Sequence, residues 1–377
     1  MSDPPAAQPQ PLSPTQSSPP PTQPTTDPLS NPYATLNDLS PDLTTLHDLA
    51  TRGSWLTILD KVIHSRPHLT KPHQHLTYFS YNLLSLIKLR RFTDALNELD
   101  SLDHSLDSPY YLYETYPNHY PNQCGSMVPF ILRVLHAELP GKVNGSNRQE
   151  SVDRLYVLLE FVRGKFGRDN LSNTSRALWE KRECFVINSI ISHHLSLKQY
   201  AVCLDLIKGL IEKSEGDGSK LEERMGLLSK LGYIQMQYGD LDGAKTTFGF
   251  IEKQVDERVE LKNLVGRNKA LVYLVGKDYV SAVREYDECI ERDGNDVVAV
   301  NNKALCLMYL RDLSDSIKVL ESALERIPTM ALNETLVVNL CSMYELAYVN
   351  HADVKKTLNN WIARVAPDDF DSACTRI

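Results

Sequence analysis

No two cysteines in this chain stand in C-x-x-C spacing, no lysine or arginine occurs before Arg52, and no apolar run nears the roughly 18 residues of a membrane span. The seven cysteines (Cys124, Cys184, Cys203, Cys289, Cys306, Cys341, Cys374) are odd in number and scattered, which speaks against a disulfide framework or a zinc site and for buried thiols in a reducing compartment. A start with neither a basic segment nor an apolar one argues against a secretory signal and an Arg-rich transit peptide. The expected location is therefore the cytoplasm, where the N-x-[ST] matches at Asn144, Asn173 and Asn333 are chance occurrences. Missing too are the phosphate-cradling G-x-x-x-x-G-K-[ST], the zinc helix H-E-x-x-H, the nucleophile elbow G-x-S-x-G and a calcium loop. The chain is expected not to be an enzyme and to carry no cofactor. Its formal net charge of -8 gives no footing for nucleic acid or an anionic membrane surface.

What is present begins with proline. Residues 1–32 hold eleven of the 21 prolines among Ser, Thr and Gln, and only Asp3 and Asp27 are charged. Such a segment cannot bury enough apolar surface to offset the entropy of ordering, so it reads as a disordered tail. It is either a dispensable extension or a recognition segment, with Ser13 and Ser18 in Ser-Pro steps. Helical periodicity starts at "SPDLTTLHDLA", with Ser40 placed to cap and Pro41 at the first helical position.

The body is a repeat array. "NKAL" at 268–271 returns at 302–305, 34 residues later, which is the tetratricopeptide period. In that repeat a small residue on the first helix meets a small residue twelve positions on, because two closely crossing helices leave no room for a large side chain. Gly232 and Ala244, Ala270 and Ala282, and Ala304 and Ser316 fit the spacing. Phe248, Tyr286 and Leu320 follow four residues later to fill the space between hairpins, and Pro328 closes the last unit. Fainter copies place Phe92, Ala95 and Leu99, and Tyr200, Cys203 and Ile207, in the same roles, while "SEGDGS" at 214–219 reads as an exposed inserted loop. The expected fold is all-α, a right-handed superhelical solenoid. It divides into a tail (1–32), an N-terminal helical region (33–183), the repeats (184–330), and capping helices with a C-terminal tail (331–377).

Three constellations bear on chemistry. His64, His68, His73 and His75 could converge on zinc, or simply lie in a solvated inter-helix loop that has two prolines and no thiolate. His136 and Glu138 sit two apart on a helix and so face different ways. Asn268, Asn302 and Asn339 occupy equivalent places on first helices, where an amide can hold an extended peptide backbone or bond a neighbouring helix. Lys269 and Lys303 follow the first two but turn about 100 degrees away, so a clamp for acidic tails, as in a co-chaperone adaptor, is incomplete.

The stretch "SPYYLYETYPNHYPNQCGSMVPFILRVLHAEL" breaks the helical pattern. Its tyrosines and prolines predict a rigid extended segment, followed by a helix with Ser126 at the cap and Pro129 in the first turn. It is either a loop laid over the chain's own core or an exposed partner surface, since Tyr serves both.

That stretch resembles the signature of the subunit 12 family of the transport protein particle (TRAPP) complex, with matches at Tyr116, Pro117, Tyr120, Pro121, Gly125, Ser126, Met127, Val128, Pro129, Phe130, Arg133, Leu135, His136, Ala137, Glu138 and Leu139. "QESVDRLYVL" at 149–158, "VAVNNKALCLMYL" at 298–310 and "ETLVVNLCSMYELA" at 334–347 are similar to later family segments, and Pro121-Asn122 stands where the family has Pro-Gly. The resemblance implies a non-catalytic scaffold on a membrane-tethering complex acting between endoplasmic reticulum and Golgi and in autophagy. Within such a complex the small core subunits promote nucleotide exchange on an early-secretory Rab GTPase, and large peripheral subunits set membrane and partner choice. The partners implied are other subunits of the complex, with membrane contact only through them. Candidate contacts are Tyr116, Pro117, Tyr120, Pro121, Gly125, Ser126, Met127, Pro129 and Phe130, together with Asn268 and Asn302. The other reading is the co-chaperone adaptor.

Overall fold

The computed structural model describes residues 43–376 except 103–104, 144, 167–171, 215–220 and 256–257. The Pro-rich lead, the helix start at Ser40 and Pro41, Asn144 and most of the "SEGDGS" loop fall outside the described residues. Within them are seventeen α-helices and no β-strand. They are α1 (Leu43–Arg52), α2 (Trp55–Ser65), α3 (Pro72–Lys88), α4 (Phe92–Asp100), α5 (Phe130–Val143), α6 (Arg148–Arg163), α7 (Asn173–Ser196), α8 (Tyr200–Lys213) and α9 (Leu221–Tyr238). Then come α10 (Leu241–Gln254), α11 (Val259–Val275), α12 (Tyr279–Arg292), α13 (Val297–Tyr309), α14 (Leu313–Arg326), α15 (Pro328–Ala331), α16 (Glu334–Ala347) and α17 (His351–Val365). The fold is an all-α tetratricopeptide-type solenoid.

Five hairpins share one turn. Arg90, Lys198, Gly239, Lys277 and Arg311 each take a positive φ between the two helices of a pair. The next residue's N–H reaches back five positions: Arg91 to Leu86, Gln199 to His194, Asp240 to Gln235, Asp278 to Tyr273 and Asp312 to Leu307, at 2.8 to 3.0 Å. This left-handed closure satisfies carbonyls that a helix end leaves bare. In three hairpins an Asp then caps the second helix, Asp240 accepting from the Gly243 N–H, Asp278 from Ser281 and Asp312 from Asp315.

From each turn the packing register follows at fixed distance. Ala95, Cys203, Ala244, Ala282 and Ser316 lie five residues after the left-handed position and are buried, as are Leu99, Ile207, Phe248, Tyr286 and Leu320 four residues further on. Gly232 sits so close to Phe248 that a β-carbon would stand 2.2 Å from Cε1 of the ring. Ser316 Oγ donates to the Ala304 carbonyl at 2.7 Å, tying the two helices where they cross. Pro328 opens the one-turn helix α15.

The divisions drawn at 183/184 and 330/331 fall inside α7 and α15, so those segments are stretches of a continuous stack. Apolar clusters pass from pair to pair along it, linking α1–α3, α2–α5, α5–α11, α11–α13 and α13–α17. The two ends also meet. Asp368 N–H donates to the Gly53 carbonyl at 3.0 Å, Lys88 pairs with Asp369 at 2.9 Å, and Arg90 pairs with Asp371. Gly53, at φ +72°, leaves 2.5 Å between its missing β-carbon and that of Pro367. Periodicity gave no hint of this closure, because residues some 300 positions apart make it.

Candidate functional site

The Tyr/Pro segment folds as a compact loop rather than an extended rod. Pro109–Tyr111 and Tyr113–Thr115 form short 3-10 turns, the first capped by Ser108 accepting from the Tyr110 N–H. A φ fixed near -65° suits such a turn as well as an extended helix, so proline alone did not decide between them. An isolated antiparallel bridge joins Leu112 to Ser126, with Tyr113 N–H donating to Gly125 at 2.9 Å and Met127 N–H to Tyr111 at 2.8 Å. Asn122 takes φ 65°. Asparagine tolerates that left-handed state better than other non-glycine residues, so Pro121-Asn122 can make the turn without glycine.

The signature residues divide by depth. Tyr120 and Met127 are each 5% exposed and belong to the core shared by α3, α4 and α5. The Tyr120 hydroxyl accepts the His73 N–H at 3.1 Å and bonds the imidazole Nδ1 at 2.6 Å. Pro117, Pro121 and Ser126 are exposed, and Tyr116, Gly125, Pro129 and Phe130 are half-buried. Burial and a hydrogen bond with Tyr110 push the Tyr116 hydroxyl up to about 12. The helix starts at Phe130, so Ser126 does not cap it and Pro129 is not in its first turn: Val128 precedes a proline and is kept out of helical geometry. Ser126 Oγ instead accepts from the Val128 N–H at 3.2 Å and the Arg133 guanidinium at 3.4 Å.

Two family segments interlock α5 and α6. Pro140 within α5 has no N–H to give the His136 carbonyl, and Arg154 Nη1 donates to that carbonyl at 3.1 Å instead. Ser151 Oγ donates to the Glu138 carbonyl and accepts the Gly141 N–H at 2.8 Å. Arg133, 9% exposed, pairs with Asp107 at 2.6 Å and donates to the Leu106 carbonyl, fastening the loop to α5.

Beneath the loop lies a cavity of about 720 Å³ whose wall includes Gly125, Ser126, Met127, Pro129 and Phe130. Its other side is cationic and aromatic. Arg182 lies 4.4 Å from the Trp179 ring and 4.9 Å from that of Phe130, while Arg133 and Lys165 approach Phe161 at 4.3 and 4.2 Å. Desolvation lowers the proton affinity of Arg182. Sequence reasoning missed Phe161, Lys165, Trp179 and Arg182. The only signal was the i, i+3 spacing of Trp179 and Arg182 on a helix.

The amide and imidazole candidates are engaged separately. Asn268 is 1% exposed, and its carbonyl oxygen accepts from Ser229 and Tyr233 hydroxyls at 2.8 Å each. Asn302 donates to the Tyr286 hydroxyl at 3.3 Å and accepts from Asn301, which in turn accepts from Asn339 at 2.9 Å. These amides bond neighbouring helices through the atoms named, while the buried Asn268 amide nitrogen has no hydrogen-bond partner among the described residues. Lys269 pairs with Glu252 at 2.6 Å and Lys303 with Asp287 at 2.5 Å. His64 bonds the Asp60 carbonyl, His73 bonds Tyr120 and His75 bonds the Leu69 carbonyl. Among the described residues no group of three or more metal-ligating side chains converges, and no helix is long and apolar enough to cross a membrane.

No family model matches the chain. Trafficking protein particle complex subunit 12 of Mus musculus is 32% identical over 312 residues, covering 78% of this chain and 38% of the mouse protein. The chain is a relative of these subunits. Subunit 12 of Homo sapiens gives the same identity over the same length, covering 41% of the human protein. The chain thus spans well under half the length of the subunit 12 proteins it matches. Among solved structures, a human IFIT1 dimer with PPP-AAAA is 13% identical, with TM-score 0.40 over 87% of this chain and 68% of that one. The TPR2AB domain–pHSP90 complex of yeast Sti1 is 13% identical, with TM-score 0.27 over 78% of this chain and 93% of that one. Both superpose only loosely.

Proposed function

We propose that the chain is a non-catalytic scaffold subunit of the TRAPP membrane-tethering and Rab-exchange complex. The observation that carries this reading is the 32% identity to subunit 12 proteins over 312 residues. The part of that family signature buried here builds the junction of α3, α5 and the loop, while Pro117, Pro121 and Ser126 remain outside, available to a neighbour. A solenoid suits the role because stacked hairpins present a long surface from a modest chain. Under this reading the partners are large peripheral and core subunits, an early-secretory Rab GTPase is engaged only indirectly, and the work lies in endoplasmic reticulum-to-Golgi traffic and autophagy. The chain would be cytoplasmic and reach endoplasmic reticulum and Golgi membranes through the complex.

The test is affinity purification of the tagged chain from its own cells at moderate salt, followed by mass spectrometry. Stoichiometric recovery of other complex subunits is expected. Recovery of chaperones with no tethering subunit would sink the reading and favour the co-chaperone adaptor.

A further inference from the structure

We propose that the cavity beneath the Tyr/Pro loop docks a short protein segment presenting one carboxylate next to an aromatic or large aliphatic side chain. Three observations lead there. The first is Arg182, half-buried between the rings of Phe130 and Trp179, which forms no ion pair among the described residues. Arg133, which lines the same cavity, is by contrast paired with Asp107 at 2.6 Å. A desolvated guanidinium without an anion is an unmet demand, and its planar fork fits a carboxylate with two parallel hydrogen bonds. The second is the wall. Met127, Val128, Phe130 and Phe161 give it apolar surface, and about 720 Å³ matches the room that pockets give a few side chains.

The third observation decides the class of anion. Asp107 and Glu114 also line the cavity, and Glu114 accepts the Gly125 N–H at 2.8 Å. Asp107 is balanced by Arg133, so Glu114 is the one lining carboxylate without an ion pair among the described residues, and beside it, on a chain of formal net charge -8, a singly charged carboxylate meets less repulsion than a phosphate dianion or a nucleic-acid backbone. Arg182 supplies the attraction for one carboxylate, and the rings beside it accept the apolar neighbour. The segment's source follows from the scaffold reading, since another subunit of the complex would carry it, but the pocket's chemistry does not depend on that.

The experiment pans a phage-displayed library of random 12-residue peptides on the immobilised full chain, with counter-selection on Arg182→Glu. Enriched peptides are expected to share an Asp or Glu within two positions of an aromatic or Leu. A fluorescently labelled synthetic copy should bind at least ten-fold more weakly to Arg182→Glu and several-fold more weakly to Trp179→Ala. Arg182→Gln serves as a second variant, and circular dichroism melts confirm that each variant is folded. No enrichment over the Arg182→Glu surface, or enriched peptides without an acid, would overturn the proposal. So would equal displacement of the labelled peptide by its carboxamide analogue, by inorganic phosphate or by a 12-nucleotide RNA. The outcome is separable from the scaffold reading: the isolated chain can select acidic peptides whether or not complex subunits co-purify, and subunits can co-purify undiminished with Arg182→Glu.

Discussion

Leu56 N–H donates to Asp368 Oδ2 at 2.9 Å, across 312 positions of sequence. Leu56 lies in the first turn of α2, where N–H groups have no helical partner, and the local cap position, Ser54, makes no side-chain bond. Asp368 therefore caps α2 from the other end of the chain. Asp368→Ala should cost about 0.5 to 2 kcal/mol, the usual value of a lost cap. Truncation after Ala366 should go further and speed amide hydrogen exchange in α1 and α2 while leaving α9–α12 protected. Equal exchange in the truncated and full chains would show that the ends are not joined in solution.

Two glycines in the same helix should respond oppositely. A methyl at Gly232 would meet the Phe248 ring at 2.2 Å, whereas one at Gly226 meets nothing within 4 Å. Gly232→Ala should destabilise by about 1 to 3 kcal/mol through overpacking, and Gly226→Ala should stabilise by about 0.5 to 1 kcal/mol through helix propensity. Chemical denaturation of both variants checks the pair. A neutral Gly232→Ala would mean that the helices of this hairpin do not cross where the 12-residue spacing puts them.

The same comparison shows how far sequence could reach. The 34-residue return of "NKAL" and the small residues twelve apart were readable because tetratricopeptide helices must cross closely at fixed intervals. The shared left-handed turn is marked in the sequence too, by a Lys, Arg or Gly two residues before Phe92, Tyr200, Leu241, Tyr279 or Leu313. What stayed hidden was long-range or side-chain-specific. The closure through Asp368 and the Arg182 cage join residues whose proximity no local pattern encodes. Asn268 sits at the repeat position expected, but only the structure shows its carbonyl oxygen engaged by Ser229 and Tyr233 inside the stack.

Tyr120 carries a prediction that runs against reading the whole signature as surface. It is 5% exposed, holds His73 through its hydroxyl and meets the Tyr113 ring edge-on at 4.9 Å. Tyr120→Ala should cost about 3 to 5 kcal/mol, as for other buried aromatic rings, and Tyr120→Phe about 0.5 to 1.5 kcal/mol for the hydrogen bond alone. Tyr110→Ala, at a ring 52% exposed that bonds Tyr116, should cost less than Tyr120→Ala. Thermal melts of the three variants give the order. Interface tests on the loop therefore belong at Pro117, Pro121 and Ser126, not at Tyr120.

His136 should make stability depend on pH. Burial first, then the Arg154 and Arg133 guanidiniums, hold its proton affinity below the ordinary 6.5, with Asp107 and Glu150 opposing. The geometry agrees, since Arg154 Nη1 lies 3.4 Å from Nε2 and favours an unprotonated ring. Above about pH 6.5 the imidazole is neutral in both folded and unfolded chains and contributes no difference. As pH falls below that value the unfolded chain takes the proton first, so stability declines. His73 and His193, also lowered by burial, add to the same slope. Melting temperature should therefore drop from pH 7.5 to pH 5.5, and His136→Gln should reduce that drop without abolishing it. An unchanged slope in the variant would mean that Arg154 moves off the ring as the proton arrives, leaving His136 free to titrate as it does in the unfolded chain.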